Sequence, residues 1–193
     1  MEAFFVSTAL VALAEMGDKT QLLSFVLAAK LRARVPIILG ILVATLANRF
    51  LAGFLGTWLA SLVSPGTLRL VIAGSFVAFG LWALKPDTLE EREGPRSAGV
   101  FLTTLVAFFL VEMGDKTQLA TVALAARYRT LLPVVLGTTL GMMIANVPAV
   151  WVGAALARRI DMRYMRWAAA ALFVLLGILT FFAADLSVAP AGR

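Results

Sequence analysis

Glu15-Met16-Gly17-Asp18-Lys19-Thr20-Gln21 recurs without a single change as Glu112-Met113-Gly114-Asp115-Lys116-Thr117-Gln118. Each copy holds two carboxylates, an ammonium, a hydroxyl and an amide, and each interrupts a long apolar run. Charge placed inside an apolar segment is costly, so its presence there marks a functional site. The runs themselves decide the class. Of 193 residues, 61% are hydrophobic and 15% charged, against about 45–50% and about 25% in an ordinary soluble domain. A chain this small cannot hide such a surplus in its own interior, because surface is a large share of its volume. The bilayer is the remaining apolar phase, and the chain reads as an all-α integral membrane protein.

Composition also excludes chemistry. There are no cysteines and no histidines, which rules out a disulfide framework and any site built on thiolate or imidazole ligands. The net charge of +6 would suggest nucleic acid in a soluble protein. Here the basic residues gather at the ends of apolar runs, which fits lipid headgroups and membrane topology instead. No basic segment precedes the first apolar run, so a cleavable signal peptide is not expected.

A spanning helix needs about 20 mainly apolar residues. Six candidates follow in order, at about 3–29, 36–62, 68–84, 98–126, 132–156 and 164–184. The motif copies fall in the middle of the first and fourth. Between the third and fourth lies the one plainly aqueous stretch, rich in Glu, Arg, Gly and Pro. The expected organisation is a first three-helix repeat over 1–84, a hydrophilic linker over 85–97 and a second three-helix repeat over 98–193.

The halves repeat with an offset of 97 residues: Lys30 maps to Arg127, Arg32 to Arg129, Pro36 to Pro133, Gly40 to Gly137, Arg69 to Arg166, Phe76 to Phe173 and Gly80 to Gly177. Asn48 and Asn146 correspond after a one-residue slip. Matches so dispersed, around a seven-residue identity, indicate duplication of a three-span unit. Three is odd, so the second unit enters the membrane from the opposite side. The expected fold is therefore six transmembrane helices arranged as two inverted repeats, with the two motifs facing each other near mid-membrane. Ten Lys and Arg flank the spans on one side and four on the other. The richer side belongs in the cytoplasm, which puts both termini outside.

Read as continuous helix, residues three apart share a face. Glu15 and Asp18 then project together, as do Glu112 and Asp115, with Thr20, Gln21, Thr117 and Gln118 about a turn further along. Converging copies would form an all-oxygen, anionic cage suited to calcium, manganese or magnesium and poorly suited to zinc, copper or nickel. Four carboxylates and two lysines leave two net negative charges, the complement of one divalent cation. Without the ion, like charges so close cannot all stay ionised. Metal and protons then compete for the same oxygens, a basis for metal/proton exchange.

The accompanying residues leave alternatives open. Gly17 and Gly114 either break the helix or allow close packing. Lys19 and Lys116 either hold the acids or stretch towards water. Met16 and Met113 either offer thioether sulfurs beside the site, tilting preference from calcium to manganese, or point elsewhere and pack, the commoner place for neighbours of the acids on a helix. Asn48 and Asn146 are supporting polar partners of the site or plain interhelical hydrogen-bonders. Arg49, whose slipped counterpart is Val147, either pairs with a motif acid or approaches an interface.

The doubled E-x-G-D-K-T signature, in the first span of each half, closely resembles the Golgi/thylakoid-type manganese and calcium transporters, also described as calcium:cation antiporters of the second type. The resemblance covers essentially the whole chain. It implies export of Mn²⁺ or Ca²⁺ in exchange for protons, with no cofactor beyond the transported ion. It carries the acidic role onto Glu15, Asp18, Glu112 and Asp115, and the motif positions onto Gly17, Lys19, Thr20, Gly114, Lys116 and Thr117. The short chain resembles the compact prokaryotic form, hence a cell inner membrane. Two rival readings stand beside it. One is a membrane-embedded enzyme acting on a lipid phosphate, for which only Lys19, Lys116 and Arg49 could hold phosphate and no nucleophile–base pair is visible. The other is a passive channel. Neither oligomeric state nor a preference between manganese and calcium follows from the residues.

Overall fold

The computed structural model describes residues 1–85, 99–152 and 162–182, and every regular element among them is an α-helix. Most of the expected linker, including the acidic run from Glu90 to Glu93, lies outside the described residues, as do the loop containing Arg158, Arg159 and Asp161, and the C-terminal tail. The first half comprises α1 (Glu2–Glu15), α2 (Lys19–Leu31), α3 (Arg34–Leu62) and α4 (Pro65–Ala83). The second comprises α5 (Val100–Glu112), α6 (Lys116–Tyr128), α7 (Leu132–Val152) and α8 (Met162–Phe182).

Of the two readings of the motif glycines the structure takes the helix break: the candidate span over 3–29 is interrupted at Met16-Gly17-Asp18, and its equivalent over 98–126 at Met113-Gly114-Asp115. Met16 and Asp18 are extended, and Gly17 takes φ 81 between them; Gly114 takes φ 76. Such positive φ is open to glycine and strained for other residues, which decides the glycine question for the break. Backbone groups freed in an apolar setting need partners. Gln21 Oε1 accepts from the Gly17 N–H at 3.0 Å, and Gln118 Oε1 accepts from the Gly114 N–H at 2.7 Å. Each motif therefore carries its own glutamine to satisfy the interruption that its glycine creates.

Among the described residues, three helices are long and apolar enough by themselves to cross a membrane: Arg34–Leu62, Pro65–Trp82 and Leu132–Trp151. Val100–Glu112 and Ala170–Phe182 are apolar but shorter. The distribution of polarity is inside out. Glu15, Arg49 and Glu112 are 0% exposed, whereas Leu51, Phe54 and Trp58 on α3 are 56%, 58% and 51% exposed. Burying charge while presenting large apolar side chains outward suits a lipid surrounding.

Packing follows the repeat. α1 lies on α7 as α5 lies on α3, α2 meets α7 as α6 meets α3, and α4 packs directly on α8. Close approach depends on paired glycines. A methyl group at Gly40 would stand 2.8 Å from the Phe101 carbonyl and the Thr104 Cβ. One at Gly137 would meet Phe4 and Ser7, the residues 97 positions earlier in each case. Each half thus wedges its third helix, α3 or α7, against the first helix of the other, α5 or α1. Both broken spans end alike, with Arg32 and Arg129 left-handed at φ 52 and φ 51.

Candidate functional site

The helix breaks bring four helix ends together. Glu15 is the last residue of α1 and Glu112 the last of α5, while Asp18 and Asp115 are the N-cap residues of α2 and α6. Carboxylates at helix N-termini sit in the favourable end of the helix dipole, and the Asp115 carboxylate accepts from the Thr117 N–H at 3.1 Å. The expectation that Glu15 and Asp18 share one helical face is overturned, since they lie on separate helices. Their proximity comes from the turn, in which the Asp18 N–H donates to the Glu15 carbonyl at 3.1 Å.

Glu15, Glu112 and Asp115 each offer an oxygen such that the three lie within 4.8 Å of one another, all buried. Two ligands on opposite sides of an ion with M–O near 2.4 Å are separated by about 4.8 Å. Asp18 is not part of this trio. Its Oδ1 accepts from Lys116 Nζ at 2.9 Å, while Lys19 Nζ pairs with Asp115 Oδ1 at 2.8 Å. Each lysine therefore pairs with the aspartate of the other half's motif.

Both motif hydroxyls reach Glu15. Thr20 Oγ1 donates to Glu15 Oε2 at 2.7 Å, and Thr117 Oγ1 donates to Glu15 Oε1 from across the repeat. The motif glutamines do not join them; Gln21 and Gln118 spend their acceptor oxygens on the helix breaks. Gln21 Nε2 goes on to the Ala145 carbonyl at 3.0 Å, and Gln118 Nε2 to Asn48 Oδ1 at 3.5 Å. Met113 is 54% exposed, consistent with a place outside the site.

The asparagines tie each long helix to the opposite broken span. Asn48 Nδ2 donates to the Phe109 carbonyl in the last turn of α5 at 3.2 Å. Asn146 Oδ1 accepts from Ser24 Oγ on α2 at 2.7 Å. Ser24 and its equivalent Thr121 escaped sequence reading. The signal was their position one turn beyond the motif threonines, where each hydroxyl also donates back to the Thr20 or Thr117 carbonyl.

Arg49, left open by the sequence, lies inside the cluster. Its Nη2 donates to Glu112 Oε2 at 2.8 Å, Glu15 Oε1 at 3.3 Å and Thr117 Oγ1 at 2.8 Å. The charge balance changes accordingly. Four carboxylates face Lys19, Lys116 and Arg49, leaving one net negative charge with every group ionised, where the motifs alone predicted two.

A helical membrane protein whose buried core is an oxygen-rich ionic cluster, assembled from broken spans, has the features of an ion transporter. Sequence comparison gives the family. A profile described as "Divalent cation/proton antiporter GDT1" matches residues 3–91 and 100–187, and the chain belongs to that family. It is 45% identical over 183 residues to a Vibrio cholerae protein named "Putative manganese exporter", covering 94% of this chain and 92% of that one. It is 30% identical over 190 residues to GDT1-like protein 4 of Oryza sativa subsp. indica, covering 83% of this chain and 66% of that one. GDT1-like protein 5 of Arabidopsis thaliana is 27% identical over 217 residues, covering 92% of this chain and 94% of that one. No solved structure matches. The family is one of transporters, not enzymes, which sets aside the lipid-phosphate reading; the ion is cargo and no cofactor is called for.

Proposed function

We propose that the chain is a secondary antiporter that exports Mn²⁺, with Ca²⁺ as an alternative cargo, in exchange for protons. The ion binds among Glu15, Glu112 and Asp115, and Asp18 stands beside them through its pair with Lys116. The observation that carries this reading is the trio of buried carboxylates, contributed by both motif copies and lying within 4.8 Å of one another. Protons are the natural competitors for the same oxygens. The Vibrio cholerae relative's name favours manganese among the hard cations.

In this reading α1 with α2, and α5 with α6, each form one broken span. With α3, α4, α7 and α8 they make six crossings as two inverted repeats. The exchange-symmetric packing and the matched glycine contacts support that plan. Residues 1–84 and 98–193 are the repeats, in the inner membrane of a prokaryotic cell, with both termini outside by the distribution of Lys and Arg.

Proteoliposomes containing the purified chain test it. An imposed pH gradient drives Mn²⁺ uptake that stops when the gradient is dissipated, and Glu15→Gln or Glu112→Gln reduces uptake to background in protein that still folds. Absence of flux for both Mn²⁺ and Ca²⁺ would sink the proposal, and wild-type rates in both variants would remove the site. Flux without any proton movement would identify a channel instead.

A further inference from the structure

The cluster contains a cation that the duplication does not account for. Arg49 is fully buried on α3, and its slipped counterpart on α7 is Val147, so one guanidinium serves two glutamates. A single nitrogen, Nη2, makes the contacts to Glu15, Glu112 and Thr117 at 2.8–3.3 Å. Two of those three residues are members of the trio able to surround one metal ion. An ion bound at about 2.0–2.6 Å to these carboxylates and a nitrogen hydrogen-bonded to them compete for one space.

The guanidinium is also incompletely engaged. Arginine pairs most firmly with carboxylate through two parallel N–H···O bonds. Among the described residues Nη1 reaches only the Thr121 hydroxyl, at 3.4 Å, and Nε has no hydrogen-bond partner. Glu112 Oε1 is likewise buried without a hydrogen bond. One oxygen of the shared glutamate is therefore left over by the guanidinium, in a place where leaving such a group unmatched is costly.

We propose that Arg49 is a tethered counter-cation that occupies the divalent-ion position and is displaced when the ion binds. In the ion-free protein it offsets one of the two charges on Glu15 and Glu112 and so weakens their repulsion. An entering ion takes the place of Nη2, engages Glu112 Oε1, and turns the guanidinium away along α6 towards Thr121. Two consequences follow from charge alone. The competition weakens binding enough for the cargo to leave, as transport requires. It also favours divalent cargo, because a monovalent ion replacing a guanidinium gains no charge whereas a divalent ion gains one. The inference rests on the metal-site reading above and adds to it a competitor carried by the protein itself.

Titration calorimetry of Mn²⁺ into purified protein tests it. Arg49→Gln is expected to tighten the Kd by about ten-fold or more, as loss of a close charge contact implies. In transport the same variant lowers KM and kcat together, because cargo is released more slowly. Arg49→Lys keeps the charge and stays near the wild-type Kd. An unchanged or weaker Kd in Arg49→Gln, with wild-type protein binding normally, overturns the inference and leaves the metal site standing. No binding by wild type overturns both. Should ion-free Arg49→Gln prove unstable, it is purified with Mn²⁺ and melted with and without a chelator. The Mn²⁺-induced rise in Tm is then expected to exceed that of wild type, and an equal or smaller rise counts against displacement.

Discussion

The lysines show how a buried ionic site is held at the level of single side chains. Lys116 is 4% exposed and pairs with Asp18; Lys19 is 22% exposed and pairs with Asp115. Removing one partner of a buried pair costs about 3–5 kcal/mol, because the remaining charge stays in a poor solvent. Lys116→Met is therefore expected to destabilise strongly, and Lys19→Met less, in the order of their exposure. Asp18→Asn combined with Lys116→Met should recover most of the loss, giving a coupling well above the roughly 0–1 kcal/mol of a solvated pair. Unfolding of wild type, Asp18→Asn, Lys116→Met and the double variant in detergent measures this, and a coupling in the solvated range would mean that water reaches the pair. The sequence named all four residues, but not their pairing. Lysine beside aspartate suggests a local contact, and only the packing of one half on the other reveals the crossed one.

At the level of elements, the breaks after α1 and α5 determine where the carboxylates point. Gly17 and Gly114 hold φ 81 and φ 76, and around Gly114 there is open space for a side chain. The cost of substitution there is one of backbone conformation, about 1–3 kcal/mol for a non-glycine residue in that region. Gly114→Ala and Gly114→Leu should thus lower stability by similar amounts, and both should impair transport by turning Glu112 and Asp115 apart. A much larger loss for leucine, seen in thermal unfolding, would show that crowding and not φ governs the position. Sequence reading offered helix break or close packing for both glycines and drew residues 3–29 and 98–126 each as one span. An apolar run looks the same whether or not three of its residues leave the helix, so hydropathy carries no trace of the break. Its written signs are the glycine itself and the glutamine four residues on, whose oxygen is seen on the glycine N–H.

For the whole molecule, the proposed inversion has a direct consequence. Ala33 and Thr130 are equivalent by the 97-residue offset, each just after the left-handed residue that ends a broken span. In two inverted repeats they emerge on opposite sides of the membrane. The chain has no cysteine, so single Ala33→Cys and Thr130→Cys variants can be labelled without background. In whole cells an impermeant maleimide is expected to label position 130 and to reach position 33 only after lysis. Labelling of both from one side would require parallel repeats and dismantle the facing-motif arrangement.

Duplication, the apolar class, the acidic motif and the exclusion of thiolate and imidazole chemistry were all present in the linear chain, because each is a matter of residue type and spacing. The same holds for family membership, which rests on sequence likeness. Tertiary structure alone decided that the spans break at the motif, that the lysines cross between halves, and that Arg49 enters the acid cluster and changes its charge from two net negatives to one. The last two share one physical reason. A buried charge takes whatever partner packing brings within reach, and here those partners are 34 to 98 residues away in the chain.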